Sequence, residues 1–176
     1  MIVAGAKAGY MKEETNNSYP RIAEIPFDSD RKMMTTFHKN YGKGIVSFTK
    51  GAPDIVLKRC NKIVVNGQVS GLTDEMRKEI QEANSSFANA ALRVLAFAYR
   101  RYDDLPQDRS SENIENEMVF VGLMGMIDPA RVEAKAAVEV CRKAGIKPVM
   151  ITGDYRDTAV AIAKDLKLME EGDGVL

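Results

Sequence analysis

The sequence predicts an α/β chain in two parts. An antiparallel α+β region runs to about residue 125, and a fragment of a doubly wound, Rossmann-like parallel sheet covers 126–176. Three observations carry this. Strand-like runs before residue 72 come as neighbouring hairpins with short Gly-containing turns. One long amphipathic helix follows them. After a polar stretch at 107–117 the pattern changes to wholly apolar strands alternating with helices, which is how a sheet covered on both faces reads. The boundary falls near Gly125 to Asp128.

Taken in order, "MIVAGAKAGYMKEE" reads as the tail of a helix, and "PRIAEIPF" alternates loosely toward a strand. "KMMTTFHKN" and "GIVSFTK" flank a Tyr41-Gly42-Lys43-Gly44 turn and form a hairpin. "APDIVLKRC" is a short helix, with Pro53 suited to its first turn and Asp54 facing the positive end of its dipole. "NKIVVNGQVSGLT" is a second hairpin turning at Asn66-Gly67. "TDEMRKEIQEANSSFANAAL" is the clearest helix, capped by Thr73 and apolar along Met76, Ile80, Ala83 and Phe87. "LRVLAFAY" is a strand on which Arg93 shares a side with Leu95 and Phe97. "QDRSSENIENE" lacks periodicity and reads as an exposed loop. "MVFVGLMGMID" is then a buried strand. "VEAKAAVEVCRKAG" is a helix with Ala134, Ala137, Val138 and Cys141 inward, stopped by Gly145. "IKPVMIT" is a second buried strand and "DYRDTAVAIAKDL" a second helix, completing a right-handed β-α-β-α run.

Composition narrows the function. Of 176 residues 45% are apolar and 28% charged, and 25 Lys plus Arg balance 25 Asp plus Glu. That balance offers no electrostatic footprint for nucleic acid or an anionic membrane surface. Cys60 and Cys141 lie far apart without metal spacing, which suits free thiols in a reducing compartment. His38 stands alone. The longest apolar run, "MVFVGLMGMI", is strand-sized rather than bilayer-sized, and no signal-peptide pattern opens the chain, so a soluble polypeptide is expected.

Two motifs fall at the C-terminal edge of the predicted parallel strands, where open α/β sheets bind ligands. In "VMITGD", Thr152 offers a hydroxyl, Gly153 a bare backbone N–H and Asp154 a helix cap, a set able to hold phosphate. In "MIDPAR", Asp128 ends the neighbouring strand. Each alone is also an ordinary strand–helix turn; their shared edge raises the weight of both. In "IPFDSDRKMM", Asp28-Ser29-Asp30 mimics the nucleophile motif of haloacid-dehalogenase-like phosphatases. Glu24 and Pro26 break the strand before it, however, and Lys32 stands where Thr or Val belongs, so Asp28 and Asp30 read as turn acids. The same stretch sets Phe27 beside the cations Arg31 and Lys32, with Lys50 and Arg93 at the ends of other strands. An aromatic face with cations suits a nucleotide. A core phenylalanine beside a solvated charged face fits the spacing equally well.

Together "FDSDRKMM", "FTKGAPDIV", "ALRVLAFAYR", "GLMGMIDPAR" and "MITGD" resemble, in order, the P-type ATPases. The similarity is to type II pumps that carry calcium, or sodium and potassium, and it runs from about Ile22 to the C-terminus. The resemblance implies a nucleotide-binding domain over 1–125, lacking its first segment, and a partial phosphorylation domain of haloacid-dehalogenase type over 126–176. It implies that Phe27 stacks on adenine and that Lys50, with Gly51 beside it, lines the adenine and phosphate cavity. Lys32 and Arg93 then contact phosphates or ribose, and Arg131 is a hinge residue near the ribose. Asp128, Thr152, Gly153 and Asp154 surround the transferred phosphoryl group and its magnesium. ATP and Mg2+ are the implied ligands. The remaining domains and membrane helices of a parent pump are the implied partners, with this region on the cytoplasmic side of a cell membrane and calcium as the expected cargo.

The departures are specific. Ser29 replaces an arginine that often meets a phosphate in calcium-pump relatives, Ala130 a second proline and Asp54 a glutamate. No "DKTGT" supplies a phosphorylatable aspartate, and "EGDGVL" is not the "GDGxND" element. The expectation is an excised piece of a pump that binds ATP but does not turn over alone. A phosphatase using Asp28 and Asp30, or a stand-alone nucleotide-binding module, are the alternatives.

Overall fold

A computed structural model describes every residue except 1, 91, 127–130, 153–155, 170–173 and 175–176. The described residues form seven strands and seven helices. The strands make one mixed sheet in the order β1-β2-β3-β6-β7-β4-β5. By their contacts the residues divide into two units, 1–77 with 95–123, and 78–94 with 124–176.

In the first unit, two short exposed helices, α1 (Ile2–Lys7) and α2 (Lys12–Ser18), precede the sheet. Strands β1 (Arg21–Asp28), β2 (Met33–Lys39) and β3 (Ile45–Gly51) follow as an antiparallel meander, and β3 also pairs antiparallel with β6 (Arg93–Tyr102). The β2–β3 hairpin forms as the turn residues predict, with Thr35 opposite Thr49 and Phe37 opposite Ser47. Because alternate residues share a face, one side of these strands is dry. Met33, Thr35, Phe37, Ser47, Thr49 and Ala98 are all nearly or fully buried. On the other side Met34, Thr36, Phe48 and Lys50 are half-exposed, with Val46 the buried exception.

Helix α3 (Pro53–Lys58) starts at Pro53 as expected and buries Val56 and Leu57. Its end is fastened to the start of the next strand by Arg77, which donates to the carbonyls of Leu57 (2.7 Å) and Cys60 (2.6 Å). Strands β4 (Cys60–Val65) and β5 (Gln68–Gly71) form the second hairpin. Asn66 and Gly67 both take positive φ, 51° and 78°, as a tight two-residue turn requires. Cys60 is buried at the start of β4, its thiol donating to the Val56 carbonyl. Burial pushes its pKa up to about 12 against the smaller pull of Arg77, so it is an inert core thiol.

Strand β7 (Met118–Met126) pairs with β4 in parallel, and Met118, Val119 and Phe120 are buried. The expected two-sided burial holds for those three residues only, since Val121 is half exposed. The stretch before β7 departs from expectation. Rather than a featureless loop it contains α5 (Ser111–Ile114), and both Ile114 and Glu115 are buried.

Helix α4 (Asp74–Asn89) forms where predicted, its first turn capped by Thr73 through the N–H of Met76. Met76, Ile80 and Phe87 are half-buried and Ala88 buried, but Ala83 is exposed, so the apolar stripe passes beside it. In the second unit, α6 (Val132–Lys143) turns Ala134, Val138 and Cys141 inward and leaves Ala137 exposed. It stops at Gly145 (φ 72°), with the N–H of Ile146 returning to the Cys141 carbonyl. Helix α7 (Arg156–Asp165) follows. The strand expected at "IKPVMIT" is absent: 146–152 has no regular structure, and Val149 and Ile151 are 76% and 93% exposed. An apolar run becomes a buried strand only where neighbours complete its ladder, and among the described residues none pairs with it.

Candidate functional site

The candidate site lies on the half-exposed face of the first unit, where β1, β2, β3 and β6 run side by side. Residues directly opposite in antiparallel strands share a face. Met34 is opposite Lys50, and Lys50 is opposite Phe97. Phe27 lies one residue before Asp28, which pairs with Met33, so it sits at the near end of the same row. The row thus reads Phe27, Met34, Lys50, Phe97 across four strands. Phe27 is 62% exposed and the other three are half-buried. Beyond it the face is floored by aromatic residues, with Phe48 meeting Tyr41 edge-on at 5.5 Å and His38 at 5.6 Å.

Backbone chemistry fixes the near end of the row. Asp28 closes β1 and accepts the N–H groups of Asp30 and Arg31 on Oδ1, each at 2.9 Å. Those two bonds, Arg31 first, hold its carboxyl below the ordinary value of 3.8. Its main-chain carbonyl takes the Lys32 N–H at 2.7 Å, and the Lys32 carbonyl takes the Ala52 N–H at 2.9 Å. Lys32 is thereby held at φ 53°, a left-handed conformation uncommon for a residue with a side chain. Gly51 makes the approach of the two segments feasible. A Cβ there would stand 2.5 Å from the Lys32 carbonyl oxygen and 2.5 Å from the Met33 Cβ. This is the physical content of the Lys-Gly-Ala-Pro stretch: the glycine lets β3 close against the turn that carries Lys32, and the proline starts the next helix.

A buried polar network supports the turn from behind. Glu115, 2% exposed, pairs with the Arg31 guanidinium through Oε2 and accepts the Thr35 hydroxyl at 2.9 Å on Oε1. Thr35 and Thr49 are 2.7 Å apart, oxygen to oxygen. Since Thr35 has one proton and gives it to the carboxylate, Thr49 is the donor between them. Arg31 also donates to the Pro26 carbonyl at 2.7 Å. Its charge is therefore spent inside the protein, which corrects the reading of Arg31 and Lys32 as two cations facing a ligand. Lys32 is exposed and Lys50 half-buried, and among the described residues neither has an ion-pair partner.

Phe27, Lys32, Lys50 and Gly51 thus come together in the first unit. Arg93 opens β6 and is exposed, Arg131 is exposed at the N-cap of α6, and Thr152 is exposed; all three belong to the second unit. Asp128, Gly153 and Asp154 lie outside the described residues. Asp28 and Asp30 do not form a nucleophile site, because Asp28 ends an edge strand of an antiparallel stretch with its carboxylate engaged by the turn. Glu115 and Met34 were missed from sequence. Strand alternation from Lys50 through the hairpin would have found Met34. No local signal marks Glu115, whose partners Arg31 and Thr35 are 84 and 80 residues away.

Among the described residues no group of three or more His, Cys, Asp or Glu side chains could hold a metal ion. No helix among them is long and apolar enough to cross a membrane.

Comparison with known proteins agrees with the motif reading. The family model described as "P-type ATPase, cytoplasmic domain N" matches residues 1–133. The chain is 45% identical over 171 residues to "Calcium-transporting ATPase 1" of Bacillus cereus, covering 97% of this chain and 19% of that protein. It is 42% identical over 176 residues to "Calcium-transporting ATPase 1" of Lactococcus lactis, covering 100% and 20%. It is also 42% identical over 170 residues to "Sodium/potassium-transporting ATPase subunit alpha-1" of Oreochromis mossambicus, covering 91% and 17%. The chain therefore spans about a fifth of the length of these relatives.

Proposed function

The chain belongs to the P-type ATPase family, and from that premise we propose that the face built by Phe27, Lys32 and Lys50 binds ATP for a cation pump. The observation that carries this is Lys50. It is half-buried, has no ion-pair partner among the described residues, and stands in a row with an exposed aromatic ring, so its charge is available to an anion. Adenine stacks on Phe27, and Lys50 and Lys32 meet the polyphosphate; both cations are brought within reach by the closed Gly51 contact. Magnesium, when bound, would arrive with the nucleotide and supply charge neutralisation to its phosphates.

In the intact pump ATP held on this face is delivered to an aspartate that the 176 residues do not contain. Residues 1–125 then act as the nucleotide-binding domain and 126–176 as part of the phosphorylation domain. Thr152, Gly153, Asp154 and Asp128 neutralise the phosphoryl group in a largely dissociative transfer, and Arg131 and Arg93 serve the ribose and phosphates. The chain alone binds and does not turn over. Calcium is the proposed cargo, since relatives from several bacteria carry that name. The proposed setting is the cytoplasmic side of a cell membrane.

Phe27→Ala tests the base contact. Losing a stacked base costs about 1–3 kcal/mol, or roughly 5- to 150-fold in Kd. Phe27 is exposed, so stability should change by less than about 0.5 kcal/mol. Calorimetric titration with ATP checks it, and Phe27→Tyr, which keeps the ring, should bind within about threefold of the parent. Equal ATP affinity in Phe27→Ala would remove the stacking assignment.

A further inference from the structure

The Phe27–Lys32 turn is held by a residue that never reaches its ligand face. We infer that Glu115 is a positioning residue for the nucleotide: through Arg31 it fixes the Pro26–Lys32 turn, and so sets where Phe27 and Lys32 stand relative to Lys50. This rests on the nucleotide reading of that face.

Arg31 is the only guanidinium in the turn, and its two ends do different things. One nitrogen donates to the Pro26 carbonyl, immediately before Phe27. The other pairs with Glu115, which is anchored in the dry side of the sheet by the hydroxyl of Thr35. Thr35 is in turn bonded to Thr49 on β3, one residue from Lys50. A continuous chain of hydrogen bonds thus runs from the strand bearing Lys50, through β2 and Glu115, to the backbone beside Phe27. The register needs such a brace. Between Ile25 and Asp28 the β1–β2 pairing is irregular, so the ladder alone does not hold Phe27 firmly at its place in the row. A bidentate guanidinium between a backbone carbonyl and a buried carboxylate defines a position in a way a single contact does not. The carboxylate is 2% exposed, which suits an anchor and not a ligand group.

The alternative is that Glu115 merely stabilises the fold. The two are separated by a double-mutant cycle read on ATP affinity, which stability does not enter while every variant stays folded. Glu115→Gln keeps the size and loses the charge pair. Arg31→Lys leaves the carboxylate a cation but cannot also hold the Pro26 carbonyl, and it is the variant to use if Glu115→Gln does not fold. Each is made in the parent chain and in the Phe27→Ala chain, and ATP is titrated at a temperature well below unfolding, with amide spectra confirming the fold.

Each substitution is expected to weaken ATP about three- to tenfold in the parent, the range that coupling through a shared network supports, and distinctly less once Phe27 is gone, the remainder acting through Lys32. Unchanged affinity in the parent, or an equal loss with and without Phe27, overturns the positioning role while leaving the nucleotide reading intact. Failure of that reading looks different: the parent chain itself shows no ATP response, and both fall together.

Discussion

Gly51→Ala should lower stability by about 3 kcal/mol, a fall of roughly 6–12 °C in Tm for a chain of this size. The added methyl would stand 2.5 Å from the Lys32 carbonyl oxygen, 2.5 Å from the Met33 Cβ and 2.8 Å from the Met33 Cα. Two of these are backbone atoms, which cannot swing aside as the tip of a long side chain does. The β2–β3 pair must open at its end, where Met33 and Gly51 are opposite. Overpacking alone costs about 1–3 kcal/mol, and the Ala52 N–H to Lys32 carbonyl bond is lost with it, adding about 0.5–1.5 kcal/mol. The same movement separates Lys32 from Lys50, so ATP binding should fall in the molecules that remain folded. Thermal unfolding followed by circular dichroism checks the first effect. A Tm within about 2 °C of the parent would mean that the strand end is looser than this contact implies.

Lys50→Met should have the opposite signature: affinity falls and stability does not. Charged hydrogen bonds to phosphate are worth about 1.5–3 kcal/mol, so ATP should bind roughly 10- to 150-fold more weakly. The lysine stem lies between Met34 and Phe97 in the cross-strand row, and methionine keeps most of that apolar contact. With no ion pair to lose among the described residues, removing the ammonium should leave Tm unchanged or raise it. Lys50→Arg separates charge from shape, since a planar guanidinium replaces a compact ammonium. It should recover only part of the affinity. Parallel calorimetry and thermal unfolding of the two variants read both quantities. A Lys50→Met chain that loses stability and affinity together would assign Lys50 to the fold.

What the sequence made legible follows from how local each signal is. The hairpins were readable because Asn66-Gly67 and the glycines at 42 and 44 take positive φ, and strand alternation on either side of them is local. Lys50 stood out because Gly-Ala-Pro ends a strand abruptly. The same locality misled at two places. "IKPVMIT" has the composition of a buried strand, but a strand exists only with a partner, and composition says nothing about whether one is there. "SSENIENE" looks solvated because seven of its eight residues are Ser, Glu or Asn around a single apolar Ile114. Yet a four-residue helix is too short to show a period, and the burial of Glu115 is compensated by Arg31 and Thr35 from the other side of the sequence. Of the adjacent cations Arg31 and Lys32, the first is engaged inside the protein for that reason. Which of two adjacent cations remains open depends on a carboxylate 84 residues from Arg31.

On the proposed reading nucleotide lies on the Phe27–Lys50 face. The first unit also has a polar groove lined by Lys58, Arg59, Arg100, Asn113 and Asn116. There both arginines are already engaged, Arg59 by the Asn116 side chain and Arg100 by the carbonyls of Asn113 and Asn116. Backbone amide NMR of the whole chain during an ATP titration decides between the two surfaces in one experiment. Saturable shifts are expected at Phe27, Lys32, Met34, Lys50 and Phe97, lost in Lys50→Met. Shifts confined to the groove around Arg59 and Asn116, or none at millimolar ATP, would contradict that reading.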